Sequence, residues 1–378
     1  MPVDSKTGFY SCRKLISSLD KEGKKPAFFI ACSRARGVGK TYDFVSALLE
    51  KSFKTNHRSK FALFCRTQAE LGGVAEGTFK SVLMDKYPGW SVIEKKRMTN
   101  TFSDVFIQKE IHPDYEDIED GKPVKIEYET RHIGYVTPLN SAQRLKSKSS
   151  LFVDVDAIYF DEFMPELATG YISNEIEKFQ LLYGSMARGQ GKSVRYIPVY
   201  MTSNTITLDN PYFEAFGLYK YIQADTKFFK GVGVVFEQVF NDAVVEEHAN
   251  SAFNRAFSQG DSNKLIDYED EDLWYNSNKS GVTKPNDWGY SNYIGTIISE
   301  KTSYGVYIYP QMGFLYISHA VDKSAKAQYR LNVDVNKDVA LVKHARIAQI
   351  IAGYLKNGTC FFDSVKSKRV ALEITGYK

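Results

Sequence analysis

The sequence predicts an α/β protein: a three-layer α/β domain over residues 1–207, a linker or lid subdomain over 208–286, and a small α+β domain over 287–378. Three observations predict it. Apolar, β-prone runs at Pro26–Cys32, Lys60–Arg66, Val155–Phe160 and Arg195–Met201 alternate with helix-like stretches at Thr41–Ser52 and Ser173–Ala187. The first run leads through Ala35-Arg36-Gly37-Val38-Gly39-Lys40-Thr41 directly into a helix-like stretch. From Trp288 onward the pattern changes to short strands separated by turns.

A strand, a glycine-containing turn and a helix, in that order, form the setting of a phosphate-binding loop. Glycines let the backbone curl so that the N–H groups of Arg36, Gly37, Val38 and Gly39 converge on one anion, and the helix N-terminus adds partial positive charge. Lys40 reaches the β- and γ-phosphates in such a loop, and the Thr41 hydroxyl ligates Mg²⁺. Arg34 stands where the full pattern G-x-x-x-x-G-K-[ST] has its first glycine. A basic turn capping a helix is the plainer alternative for this segment.

The second run ends at Arg66. The insert from Met98 to Val136 is rich in β-formers around Asp120-Gly121-Lys122-Pro123 and predicts a hairpin or small sheet excursion. Arg144-Leu145-Lys146-Ser147-Lys148-Ser149 reads as a basic loop. Arg66, Lys146 and Lys148 are candidates for sequence-independent contacts with nucleic-acid phosphates, with a solvated surface as the alternative. The run Val155–Phe160 is followed by two adjacent carboxylates, Asp161-Glu162, about 120 residues after the loop. A buried parallel strand reads as a near-continuous apolar run, and ligands bind at its carboxyl end. Asp161 is placed to hold the Mg²⁺ shell and Glu162 to deprotonate an attacking water. Loop and acid pair together predict hydrolysis of a nucleoside triphosphate, with ATP and Mg²⁺ as cofactors.

Arg188, in a Gly-rich turn, is a candidate arginine finger for a neighbouring subunit's site; Arg36, inside the loop, is a rival finger in cis. Thr202-Ser203-Asn204 closes the next strand, where Asn204 can bond the γ-phosphate or the attacking water; a helix cap or turn is the alternative.

The middle segment carries Asn210-Pro211, a polar stretch at Ser258–Lys264 and an acidic knot, Asp267-Tyr268-Glu269-Asp270-Glu271-Asp272. Beyond it, Asn292–Ser299, Ser303–Tyr309 and Phe314–Ser318 read as strands. Apolar residues then recur at helical spacing from Ala340 to Leu355, and Cys360–Asp363 follows as a further strand. That order resembles the start of an RNase H-like fold. Two-metal DNA cleavage needs converging carboxylates, but Asn292–Ser299 has none and Asp363 is the only acid on the later strand. The last domain therefore reads as nuclease-dead, with Lys366, Lys368 and Arg369 gripping phosphate backbones.

Bulk properties fit this picture. Net charge is +4, with thirteen Lys/Arg against five Asp/Glu in residues 1–60 and eleven against five from Asp322 to the end. Basic ends suit a polyanion partner, although a solvated surface is the default for such charge. No apolar run approaches the ~20 residues of a membrane span, and Met1–Tyr10 lacks a signal peptide's apolar region. The four cysteines are scattered, as in a reduced cytoplasmic protein, and the six histidines form no metal-ligand pattern.

Ala35–Thr41, Phe160-Asp161-Glu162-Phe163, Ser203-Asn204 and Asn210-Pro211-Tyr212-Phe213 together resemble the DNA-packaging motor ATPases of phi29-type tailed phages. Gly313-Phe314-Leu315-Tyr316-Ile317 and the Leu355–Phe362 region are similar too. The resemblance implies an additional-strand P-loop ATPase, related to large terminase ATPases, with a degenerate nuclease-like C-terminal domain. It implies a homopentameric ring that drives double-stranded DNA into a procapsid, docked at the portal vertex through a structural RNA, in the bacterial host's cytoplasm. It assigns phosphate and Mg²⁺ binding to Lys40 and Thr41, the acid role to Asp161, the base role to Glu162 and the trans finger to Arg188. A lysine that family members present to DNA after the second strand is Gln68 here. Rival readings are a large terminase with an active nuclease, another P-loop nucleic-acid translocase, a small-molecule kinase and a non-catalytic docking protein.

Overall fold

The computed structural model describes residues 8–33, 37–111, 127–165, 170–188, 194–204, 210–222, 226–241, 252, 288–299, 302–324, 327–330, 340–341 and 345–375. The chain divides into two compact units. The first takes Met1–Ile206 and Asp225–Glu271, the second Thr207–Ala224 and Asp272–Lys378.

In the first unit, a short helix α1 (Arg13–Ile16) precedes β1 (Phe28–Ser33) and α2 (Lys40–Lys54). Then come β2 (Lys60–Cys65), α3 (Val74–Lys86), β3 (Trp90–Arg97), β4 (Phe102–Ile111) and β5 (Glu127–Pro138). The segment α4 (Ala142–Leu145), β6 (Val155–Phe160), α5 (Glu175–Met186) and β7 (Val199–Asn204) follows. One sheet contains nine strands in the order β3-β4-β5-β2-β6-β7-β1, completed by Val234–Val239 and, at the edge, Phe228–Lys230. All neighbours from β5 to Val234–Val239 are parallel, and the outer pairs are antiparallel.

Alternation along the strands sends side chains to two helix layers. On one face Phe44 of α2 packs against Tyr159 and Tyr200, and Phe79 of α3 stacks on Phe61. On the other, Phe179 of α5 meets Phe28, Phe64 and Phe160. Phe44 and Phe79 are fully buried, each contributing roughly 1.5–3 kcal/mol over an exposed position.

The expected alternation of strands and helices is present, with three differences. The expected hairpin excursion is part of the main sheet, because β5 pairs parallel with β2 from Phe61↔Gly134 to Cys65↔Pro138; its turn, Asp120–Pro123, lies outside the described residues. Helix α3 was not among the expected helices; Gly73 is its N-cap and Gly77 lies within it, and glycine is a weak helix former. The described residues of the expected linker divide between the units. Val234–Val239 is buried along its whole length beside β1, while Pro211–Ala215 belongs with the second unit. The polar stretch at 258–264 and the acidic knot lie outside the described residues.

The second unit holds α6 (Pro211–Ala215), capped by the Asn210 side chain accepting from Phe213 N. Numbering Phe228–Lys230 and Val234–Val239 of the first unit β8 and β9, its strands are β10 (Asn292–Ser299), β11 (Thr302–Tyr309), β12 (Phe314–Ser318), β13 (Gln328–Arg330), β14 (Ala340–Leu341) and β15 (Cys360–Phe362). The sheet order is β14-β13-β10-β11-β12-β15. Helix α7 (Arg346–Lys356) buries Ile347 and Ile351 with Ile297, Val306 and Leu315. Helix α8 (Val365–Thr375), also unexpected, adds Val370, Ala371 and Ile374 to that core. No described helix is long and apolar enough to cross a membrane.

Candidate active site

The expected phosphate loop lies between β1 and α2. Gly37 and Gly39 have φ of 75° and 89°, which side chains with a Cβ rarely adopt, and Gly39 is the N-cap of α2. Tyr10 N donates to Val38 O at 2.9 Å, so the N-terminal segment braces the loop from outside. Arg36, expected to cradle phosphate or act as a cis finger, lies outside the described residues.

Lys40 opens α2 and is 7% exposed. Its Nζ donates to Ser33 Oγ at the end of β1 and to Asn204 Oδ1 at the end of β7, 3.2 Å away. The sheet therefore joins Lys40 and Asn204, a pair separated by 164 positions. Burial lowers the Lys40 ammonium to about 8, with Asp161 and Glu162 pulling it back up. A bound triphosphate favours the charged form, so nucleotide binding above pH 8 requires proton uptake. Nucleotide affinity, measured by titration from pH 7 to pH 9.5, is expected to fall above about pH 8 by up to tenfold per pH unit. A flat profile above pH 8 contradicts this role for Lys40.

Thr41 Oγ1 donates to Asp161 Oδ2 at 2.8 Å, joining the helix start to the carboxyl end of β6. Mg²⁺ takes hard oxygen ligands and is held by one or two protein groups plus substrate phosphates. Thr41 and Asp161 fit that donor set, and among the described residues no cluster of three or more His, Cys, Asp or Glu offers a richer one. Thr202 of β7 donates to Asp161 Oδ1.

Glu162 is exposed and adopts φ 48°, an uncommon conformation for a residue with a side chain. Its surroundings hold it there. Glu162 N donates to Asp161 Oδ1 at 3.0 Å, and Arg66 donates to the Glu162 carbonyl at 2.9 Å and the Phe163 carbonyl at 2.5 Å. The Arg66 Nε pairs with the buried Glu175 at 3.2 Å, and its guanidinium lies over the rings of Phe160 and Tyr171. Arg66 was expected to touch nucleic-acid phosphates. In the structure its Nε, Nη1 and Nη2 donate to Glu175, to the Glu162 carbonyl and to the Phe163 carbonyl, and its side chain is 14% exposed.

Other candidates stand apart from this edge. Arg188 is exposed and bridges to Val194, while Arg195 reaches Val155 O at the start of β6. That turn is at the entry edge of β6 and β7, and the loop and Asp161 are at the exit edge, ~20 Å away along six residues of strand. Lys146 and Lys148 lie in Lys146–Phe152, two short 3₁₀ turns joined by a kink at Lys148; Lys146 is exposed and Lys148 half-buried. In the second unit, Lys366 pairs with Glu214 and lies over the Tyr219 ring. The pair ties α8 to α6. Lys368 is half-buried, its ammonium lowered by burial, and Arg369 is exposed on α8.

A glycine-rich loop opening a helix, with a lysine, a threonine and an acid gathered at the carboxyl edge of a parallel sheet, defines an α/β protein whose sheet edge can hold a phosphate group. The chain belongs to the podovirus DNA encapsidation protein (Gp16) family, whose model matches residues 93–377. It is 26% identical over 292 residues to the DNA packaging protein of Bacillus phage phi29, covering 74% of this chain and 81% of that protein. It is 23% identical over 352 residues to the DNA packaging protein of Bacillus phage B103, covering 90% and 94%. Its fold is similar to a chain of the bacteriophage phi29 viral genome packaging motor assembly, with a TM-score of 0.63 at 19% identity over 97% of this chain and 98% of that one.

Proposed function

We propose that this encapsidation protein is the ATP-hydrolysing subunit of a packaging motor that moves double-stranded viral DNA into a procapsid. The observation that carries this reading is the meeting of Lys40, Thr41, Asp161, Asn204 and the strained Glu162 turn at one sheet edge. Strand β7 lies between the loop strand β1 and the acid strand β6, which supports the additional-strand class of P-loop ATPase.

Lys40 and the loop N–H groups bind the β- and γ-phosphates, and Thr41 and Asp161 hold Mg²⁺. When bound, Mg²⁺ neutralises charge on the transferring phosphoryl group. Glu162 accepts a proton from the attacking water, and Asn204, released from Lys40, senses the γ-phosphate. Arg188 is too far along the sheet to serve its own site, which favours a finger acting on a neighbouring subunit in a ring. From the resemblance of its motifs to those of phi29-type packaging ATPases, the chain is proposed to form a pentamer docked at the portal vertex through a packaging RNA, working in the host cytoplasm. In the second unit, β10 to β12 are antiparallel and β13 and β14 run parallel beside β10, an order that supports an RNase H-like ancestry. Arg369, Lys368, Lys146 and Lys148 remain the candidate contacts to DNA.

The purified chain is expected to hydrolyse ATP only with Mg²⁺, and faster with duplex DNA. Arg188→Ala and Glu162→Gln subunits, each inactive alone, are expected to regain part of that turnover when mixed, because some interfaces then join an intact finger to an intact base. Absence of DNA stimulation argues against the motor reading. No recovery in rings shown to contain both subunits argues against the trans finger.

A further inference from the structure

Asp161 is held by more than Thr41. Tyr159 precedes it by two residues on β6, so both side chains project from the same face of the sheet. Strands β6 and β7 pair in parallel at Tyr159↔Tyr200 and Phe160↔Met201, which brings Thr202 level with Asp161. Tyr159 and Thr202 are 1% and 0% exposed. The Tyr159 hydroxyl lies 2.8 Å from Thr202 Oγ1, and Thr202 Oγ1 contacts Asp161 Oδ1.

The direction of this relay follows from the donors available. A carboxylate only accepts, so Thr202 spends its single proton on Asp161 Oδ1. Its oxygen must then accept from Tyr159. A phenol is protonated at neutral pH, so Tyr159 has a proton to donate. Oδ1 is thereby committed to the sheet side, where it also accepts from Glu162 N at 3.0 Å. Oδ2 is left facing Thr41 at 2.8 Å.

We infer that the buried Tyr159–Thr202 hydroxyl relay is a positioning device for Mg²⁺: it fixes the rotation of the Asp161 carboxylate so that one oxygen faces the Thr41 side of the nucleotide site. The inference rests on the reading of Asp161 as the magnesium-side acid. The relay also bridges β6 to β7, the strand that ends in the Lys40 partner Asn204. Both side chains are buried, so they act through the groups they contact rather than on a bound nucleotide.

The test measures binding rather than turnover. A ribose-labelled fluorescent ATP is titrated into the full-length chain in EDTA and across a Mg²⁺ series, for the parent, Thr202→Val, Thr202→Ser and Tyr159→Phe. Removing such an outer partner of a metal ligand typically costs 10–100-fold in metal affinity. Thr202→Val, isosteric but without the hydroxyl, is expected to raise the Mg²⁺ concentration for half-maximal effect by about tenfold. Thr202→Ser retains the donor and is expected to stay near the parent, and Tyr159→Phe to fall between. Binding in EDTA is expected to be equal in all four. Equal Mg²⁺ requirements for the Val and Ser variants overturn the inference, as does parallel loss of binding in EDTA, which marks a purely structural role. A parent whose binding ignores Mg²⁺ altogether instead overturns the assignment of Asp161 itself.

Discussion

Glu162→Gln is expected to keep Mg²⁺-dependent ATP binding and to lose about 10²–10⁴-fold in turnover, the usual contribution of a positioned general base. The size of the effect follows from what the substitution leaves alone. The bonds that hold the Glu162 turn use its backbone: its N–H reaches Asp161, and its carbonyl accepts from Arg66. The side chain is exposed, so an amide of the same shape fits without repacking. Lys40, Thr41, Asp161 and Asn204 keep their mutual contacts. What disappears is an acceptor for the water's proton. Lys40→Ala is the contrasting variant, because it removes the ammonium that meets the phosphates and is expected to abolish binding itself. Equilibrium binding of labelled ATP together with phosphate release separates the two. Turnover near the parent rate in the Gln variant refutes the base assignment.

Arg66→Ala is expected to cost about 3–5 kcal/mol of stability, because it removes the cation paired with the buried Glu175 carboxylate. That carboxylate accepts from Arg66 Nε and from Ile172 N, and its side chain is 1% exposed. Turnover is expected to fall as well, since the Glu162 and Phe163 carbonyls lose the donors that hold the base-bearing turn at positive φ. Arg66→Lys separates the two effects. It keeps a positive charge beside Glu175, but an ammonium cannot fork to two carbonyls and a carboxylate as a planar guanidinium does. Stability is therefore expected to return in large part and turnover to remain low. Adding Glu175→Gln to Arg66→Ala is expected to recover stability by removing the buried charge. Denaturant unfolding and steady-state hydrolysis measure both quantities. Unchanged unfolding, with a loss confined to salt-sensitive DNA binding, restores Arg66 to the phosphate contact expected from its position at a strand end.

Residue order alone carried the recognisable chemistry. The loop from Gly37 to Thr41 and the pair Asp161-Glu162 were legible because each needs particular residue types at fixed spacing next to a strand, a local requirement written in consecutive residues. The strands of the central sheet were legible for the same reason: buried parallel strands are continuous apolar runs. Helix α8 was not, because its short apolar stripe of Val370, Ala371 and Ile374 is interleaved with charges that read equally well as a solvated tail. Charge was the least reliable guide. Arg66 and Lys366 read as surface cations, and whether a cation faces solvent or a buried acid depends on partners more than a hundred positions away, Glu175 for one and Glu214 for the other. The sequence by itself determined an α/β chain with a glycine loop before a helix and an acid pair after a strand. Only the tertiary structure decided which side chains meet at the sheet's edge, for strand order sets their neighbours: β7 inserted between β1 and β6 brings Asn204 to Lys40 and Thr202 to Asp161.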